Sequence, residues 1–126
     1  MTTTREKTMT TQEVADRFHE LAQQEKWFEI QDEFFSDDAR SIEPEGSVYF
    51  PNASGRAAIR KKAEEFVSRI EAVHSLRTTA PVVAGNHFVV GRDKDITVRP
   101  HGRIRINQLM LYEVRDGKIV LEQFFY

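Results

Sequence analysis

Glu43 and Glu45 flank Pro44 in the stretch DDARSIEPEGSVYF, between the paired aromatics Phe34–Phe35 and the apolar run Val48–Phe50. A carboxylate in that setting is either a solvated turn residue or a base that faces an apolar pocket. In the pocket, loss of water would raise its pKa toward a working range. Near the other end of the chain, Glu122 alternates with Val120 and Phe124. On a strand these three share a face, so the carboxyl must be ion-paired, protonated or functional. His74 follows EAV, where a ring that closes a helix C-terminus would be favoured by the helix dipole. His19, His87 and His101 are spread over a helix, a strand and a turn, and no pair has metal-ligand spacing beside a carboxylate. No metal site is expected. There is no Gly-rich phosphate loop, no Gly-x-Ser-x-Gly elbow and no Cys–His pair, so nucleophilic and phosphoryl-transfer chemistry have no support.

The bulk composition narrows the setting. A chain of 126 residues, 40% hydrophobic and with nine Phe, is long enough for one domain and one core. A net charge of −2 argues against a protein that neutralises many phosphates, so no nucleic acid is expected as a partner. No apolar run is long enough to cross a bilayer; a cytoplasmic protein without a membrane partner is the expectation. The absence of cysteine excludes disulfides, thiolate chemistry and Cys-ligated zinc.

The elements that must position these residues can be read from periodicity. Residues 1–9 carry none and read as a loose arm, leaving 10–126 as the single domain. Thr10 and Glu13 form a capping-box pattern, and Val14, Phe18, Leu21 and Ala22 recur at helical spacing, giving a helix over 11–25. A shorter helix over 27–36 places Trp27, Ile30 and Phe34 on one side, and a short strand over 39–43 stops at Pro44 and Gly46. Asn52, Ser54 and Gly55 offer turn and cap chemistry for a third helix with Ile59, Ala63, Phe66, Val67 and Ile70 as its buried stripe. Its Arg60–Glu64, Lys61–Glu65 and Glu65–Arg69 spacings offset the basic run on a solvated face. From His74 the period becomes two, giving strands over 74–84, 86–98, 103–115 and 118–126 joined by short Gly-containing turns. Helices followed by an antiparallel meander mean α+β, with the helices on one face of the sheet. Arg92, Lys94, Arg99, Arg103 and Arg105, interleaved with Asp93 and Asp95, read as an exposed, solvated hairpin.

This order of elements, with FFSDDARSIEPEG, SGRAAI and YEVRDGKIV, resembles the NTF2-like superfamily, and within it the SnoaL-like and ketosteroid-isomerase-like proteins. The resemblance runs from Gln12 to Tyr126. It implies a cystatin-like cone, in which three helices close over a highly curved, mostly antiparallel sheet that encloses a deep apolar pocket. Many members dimerise through the outer sheet face. The isomerase relatives carry a proton-shuttling aspartate at the position that matches Glu43, which makes Glu43 the candidate base, with Glu45 at the rim. Their oxyanion donors do not carry over: the tyrosine position matches Phe18 or His19, and the aspartate position matches Met110. A steroid double-bond isomerase is therefore not expected. His74 resembles a cavity histidine of some dehydratase- and cyclase-like members, which would polarise a carbonyl or relay a proton.

With Met110 inward, period two brings Gln108 and Tyr112 to the pocket and sends Leu109 and Leu111 outward. The same matching puts Val120, Glu122, Phe124 and Tyr126 inward, and Ile119, Leu121, Gln123 and Phe125 outward. The expected ligand-binding set is Phe18, Trp27, Phe35, Gln108, Met110, Tyr112, Phe124 and Tyr126. The expected dimer face is Leu109, Leu111, Leu121 and Phe125. Together these assignments imply a homodimeric protein that binds a small, mostly apolar organic molecule. The alternative is a cofactor-free isomerase, dehydratase or cyclase with Glu43 as base, assisted by Glu122 or His74.

Overall fold

The computed structural model describes residues 8–126, so most of the expected 1–9 arm lies outside the described residues. Thr8 and Met9 pass beside Gly117 in the last turn. Three helices, α1 (Thr11–Gln23), α2 (Trp27–Phe34) and α3 (Arg56–Arg69), pack on one curved sheet. Its strands are β1 (Phe35–Ile42), β2 (Ala53–Ser54), β3 (Ile70–Thr78), β4 (Val82–Ala84), β5 (His87–Val98), β6 (Gly102–Arg115) and β7 (Lys118–Phe125). The strand order is β2-β1-β7-β6-β5-β3, with β4 also paired to β5. All pairings are antiparallel except β1 with β7, which joins the N-terminal part of the chain to its last strand.

Local chemistry sets the helix ends. Thr10 Oγ1 accepts from the Glu13 amide while Glu13 Oε1 accepts from the Thr10 amide, the reciprocal capping box, typically about 1 kcal/mol of helix stability. The N-cap of α3 is Gly55, at φ 91°, and its amide donates to the Ala39 carbonyl at 2.7 Å. Asn52 does not cap that helix; its side-chain oxygen instead accepts from the Glu43 amide at 2.7 Å.

Two apolar clusters occupy the two ends of the sheet's inner face. The larger gathers Val14, Phe18, Ile30, Phe34, Phe88 and Tyr112, with Phe18 edge-on to Trp27 and Phe88. The smaller gathers Phe66, Ile96, Val98 and Ile106. Each large side chain buried this way contributes about 1.5–3 kcal/mol. Between the clusters the inward rows of the long strands turn polar, and there the cavity lies.

Four expectations change here. The helix expected over 27–36 stops at Phe34, and the strand expected over 39–43 already begins at Phe35. The strand expected over 74–84 divides into β3 and β4 at Thr79–Pro81, and β3 begins four residues earlier, directly after α3. Ile119 is fully buried rather than outward, because a bulge between Glu113 and Val114 shifts the β6–β7 register and pairs Val114 with Ile119. In α3, only Ile59 and Phe66 of the expected stripe are buried, and Val67 is exposed at the cavity mouth.

Candidate functional site

The cavity has a volume of about 500 Å³ and is lined mainly by apolar side chains from the α1–α2 corner, α3, β3, β5, β6 and β7. Strand register explains how its polar groups meet. Ser41 on β1 lies opposite Glu122 on β7, and Glu122 lies opposite Tyr112 on β6. Ser41 Oγ therefore donates to Glu122 Oε1 at 2.7 Å, and Tyr112 is the cross-strand neighbour of the same carboxyl. Glu122 is buried and forms no ion pair among the described residues. Burial pushes its pKa up to about 7, with the Glu43 charge adding to the rise; the Ser41 bond, the Lys62 charge and the adjacent Tyr112 hydroxyl hold it down. Burial likewise raises the Tyr112 phenol, and the Glu122 charge adds to it.

Glu43, the first residue after β1, is enclosed but fully engaged. Lys62 Nζ donates to Oε2 at 2.8 Å and the Tyr126 hydroxyl donates to Oε1 at 2.8 Å. Lys62 also reaches the Pro51 carbonyl at 3.0 Å. Tyr126 lies beyond β7 and shares its hydroxyl with Ser47 at 2.5 Å; burial is the main cause of its raised pKa. Glu45 is exposed.

A third set sits where α1 gives way to α2. Glu25 ends α1 in the left-handed region, at φ 57°, a conformation that costs a non-glycine residue about 1 kcal/mol. That turn aims its carboxylate at Arg92, whose guanidinium donates at 2.9 and 3.3 Å, and at Trp27 Nε1, at 2.8 Å. Arg92 also donates to Thr78 Oγ1 at 2.9 Å and stacks over the Trp27 ring at 4.4 Å. Lys94, two residues on and on the same face of β5, holds its ammonium 5.1 Å from the ring centres of both Phe50 and Phe66. Burial lowers its pKa to about 8, helped by the Arg92 charge and opposed by Glu43 and Glu25.

Of the residues singled out in the sequence, Glu43, Glu122, Trp27, Gln108, Met110, Tyr112 and Phe124 meet around the cavity. Four do not line it. His74 is exposed on β3 and bonds Thr97 Oγ1 at 2.8 Å, because Val73 takes the cavity side and turns its neighbour outward. It does not close a helix either, since α3 ends at Arg69. Phe18 and Phe35 are packed in the core behind the wall, and Tyr126 touches the site only through Glu43.

Lys62, Arg92, Lys94 and Ser41 are the residues that sequence reasoning missed. The RKK run is not a solvated face throughout: Lys62 turns into the cavity, and Arg60 bonds Gln31, Asp32 and the Phe28 carbonyl on α2. The basic hairpin divides by parity. Arg103 and Arg105 pair outward with Asp95 and Asp93, while Arg92 and Lys94 point inward. A signal was present, since Phe88, Val90, Arg92, Lys94, Ile96 and Val98 form one period-two row whose ends are apolar. Among the described residues, no group of three or more His, Asp or Glu is placed to hold a metal.

A SnoaL-like domain profile matches residues 9–126. The chain belongs to the SnoaL-like family. Its fold matches a structure from Mesorhizobium loti described as a SnoaL-like polyketide cyclase, with a TM-score of 0.86 and 32% identity over 94% of this chain and 100% of that one. An isomerase-labelled structure from Bacillus subtilis matches at TM-score 0.68 and 21% identity, over 92% of this chain and 88% of that one. A Catenulispora acidiphila protein with a ketosteroid isomerase-like fold, in complex with trimethylamine, matches at 0.60 and 20%, over 77% and 72%. The last two likenesses concern the fold alone. No functionally curated sequence matches this SnoaL-like chain.

Proposed function

We propose that this SnoaL-like protein binds a small, mostly apolar organic molecule in its cavity and moves a proton on it with Glu122. The carrying observation is a buried carboxyl on the cavity wall with no cation bonded to it and a pKa near neutrality. Such a group takes and returns a proton at pH 7 with little bias either way. The substrate class that fits is a compound with an enolisable carbonyl. Glu122 would remove the proton on the carbon beside the carbonyl, and the neighbouring Tyr112 hydroxyl supports the negative charge that builds up. Glu43 takes a positioning role in this reading, since Lys62 and Tyr126 already occupy its oxygens. A second reading, binding without catalysis, is favoured by that same tight Glu43–Lys62 pair.

The test is exchange of the α-protons of 2-tetralone for deuterium, followed by NMR at pD 7. The wild-type protein should accelerate exchange at least tenfold over buffer, and Glu122→Gln should abolish the acceleration. Saturable binding without faster exchange would support the second reading and remove the first.

The outer sheet face supports a homodimer. Leu109 and Phe125 are 54% and 48% exposed and stand opposite each other in the β6–β7 register, with Leu111 next on β6 and Leu121 further along β7, opposite Glu113. An apolar centre of this kind on an outer sheet face suits a second copy of the chain.

A further inference from the structure

Exposed Lys26 at the rim apart, the cavity's cations are Lys62, Arg92 and Lys94, and one of these three is left over after pairing. Lys62 is matched by Glu43, and Arg92 by Glu25. Lys94 has no carboxylate and no hydrogen-bond acceptor among the described residues; only the faces of Phe50 and Phe66 hold its ammonium. Arg92 is its neighbour on its own strand, Glu25 faces it from the α1–α2 corner, and Glu43 faces it from the end of β1. Lys62 lines the cavity from α3 and Glu122 from β7. Neither acid that acts on Lys94, Glu25 or Glu43, is within bonding reach of it, and both are already engaged. Ring faces satisfy an ammonium's charge in part but leave its N–H donors without acceptors.

Lys94 is half-buried on the cavity wall opposite Leu76 of β3, beside Phe66 and one inward position from Ile96, which pairs with the exposed Val73. Glu122 is level with Tyr112 and, through it, with Phe88 at the far end of β5. In strand register the uncompensated cation and the proton-transfer carboxyl are therefore six positions of β5 apart within one mostly apolar cavity.

We propose that the natural ligand is an elongated apolar molecule with one anionic group, a carboxylate in the simplest case, and that Lys94 binds that group beside Phe50 and Phe66. The ligand enters with its uncharged end first, which brings that end toward Glu122. This inference rests on the cavity being the ligand site, as proposed above, but not on catalysis there. The anion supplies the acceptors that Lys94 lacks and cancels the unpaired positive charge on the inner wall. Arg92 does not take this role, because Glu25 already neutralises its charge and, with Thr78, takes three of its five N–H donors.

Isothermal titration calorimetry with matched acid and amide probes tests this: 4-phenylbutyrate, 2-naphthoate and octanoate against their primary amides, at pH 7. The wild-type protein should prefer each acid tenfold or more. Lys94→Met should bring acid and amide affinities within twofold, and Lys94→Arg should restore the preference, which shows that a folded cavity is being compared. With the wild type, acid affinity should fall above pH 8 while amide affinity holds. Equal binding of acid and amide by the wild type would overturn the anion assignment and leave the cavity reading intact. A preference that survives in Lys94→Met would overturn the role of Lys94. Failure of all six probes to bind would overturn both readings.

Discussion

Replacing Glu122 with Gln should remove a specific pH dependence of stability. The native carboxyl titrates near 7 and the ordinary value is 4.5, so between these values the unfolded chain has lost a proton that the folded chain keeps. In that window unfolding releases the proton, and stability falls as pH rises, by about 1.4 kcal/mol per pH unit for one group. Across the whole window the loss is on the order of 3 kcal/mol. For a domain of this size, that is a fall in Tm of about 10 °C between pH 4.5 and 7.5. Gln keeps the shape and accepts the Ser41 bond without a charge to bury. Glu122→Gln should therefore be the more stable protein above pH 7, by about 3 kcal/mol, and close to wild type at pH 4.5. Urea unfolding of both proteins at half-unit pH steps measures this, since every other titrating group contributes to both curves and largely cancels in their difference. A wild-type-minus-variant difference that stays flat from pH 4.5 to 7.5 would refute the claim that burial holds this carboxyl protonated.

Two further outcomes are expected from the packing. Lys62→Met leaves the buried Glu43 carboxylate without its cation and should cost about 3–5 kcal/mol by urea unfolding at pH 7. Adding Glu43→Gln to it should recover most of that loss, and a single-variant loss below about 1 kcal/mol would show that the pair is not enclosed. Leu109→Asp with Leu111→Asp should give monomers by light scattering from a dimeric wild type; an unchanged dimer mass would mean that another face pairs.

The fold was legible because its signals are local. The Thr10–Glu13 cap, the 3.6-residue recurrence of Val14, Phe18, Leu21 and Ala22, and the two-residue recurrence through β5 and β6 each depend on residues close together in the chain. With Met110 set inward by the resemblance, the period of two also assigns Gln108 and Tyr112 to the inner face, and all three are buried. The parity of β7 was not legible throughout, because one inserted residue at a bulge reverses the facing of Ile119 while leaving its composition unchanged.

The candidate site divides along the same line. Its inner-face acids were visible by sequence, because a carboxylate in register with apolar neighbours stands out whatever it later bonds. Which of those acids is free was decided only by tertiary structure. Lys62 stands 19 residues from Glu43 in sequence, and Ser41 stands 81 from Glu122. The parallel β1–β7 pairing and the seating of α3 over the sheet bring those partners together. A pKa depends on what lies within a few ångströms in space, so Glu43 became an ion pair, Glu122 a carboxyl that titrates near neutrality, and Lys94 an unmatched cation. Local sequence supplied the charges; packing across the cone determined which of them were cancelled.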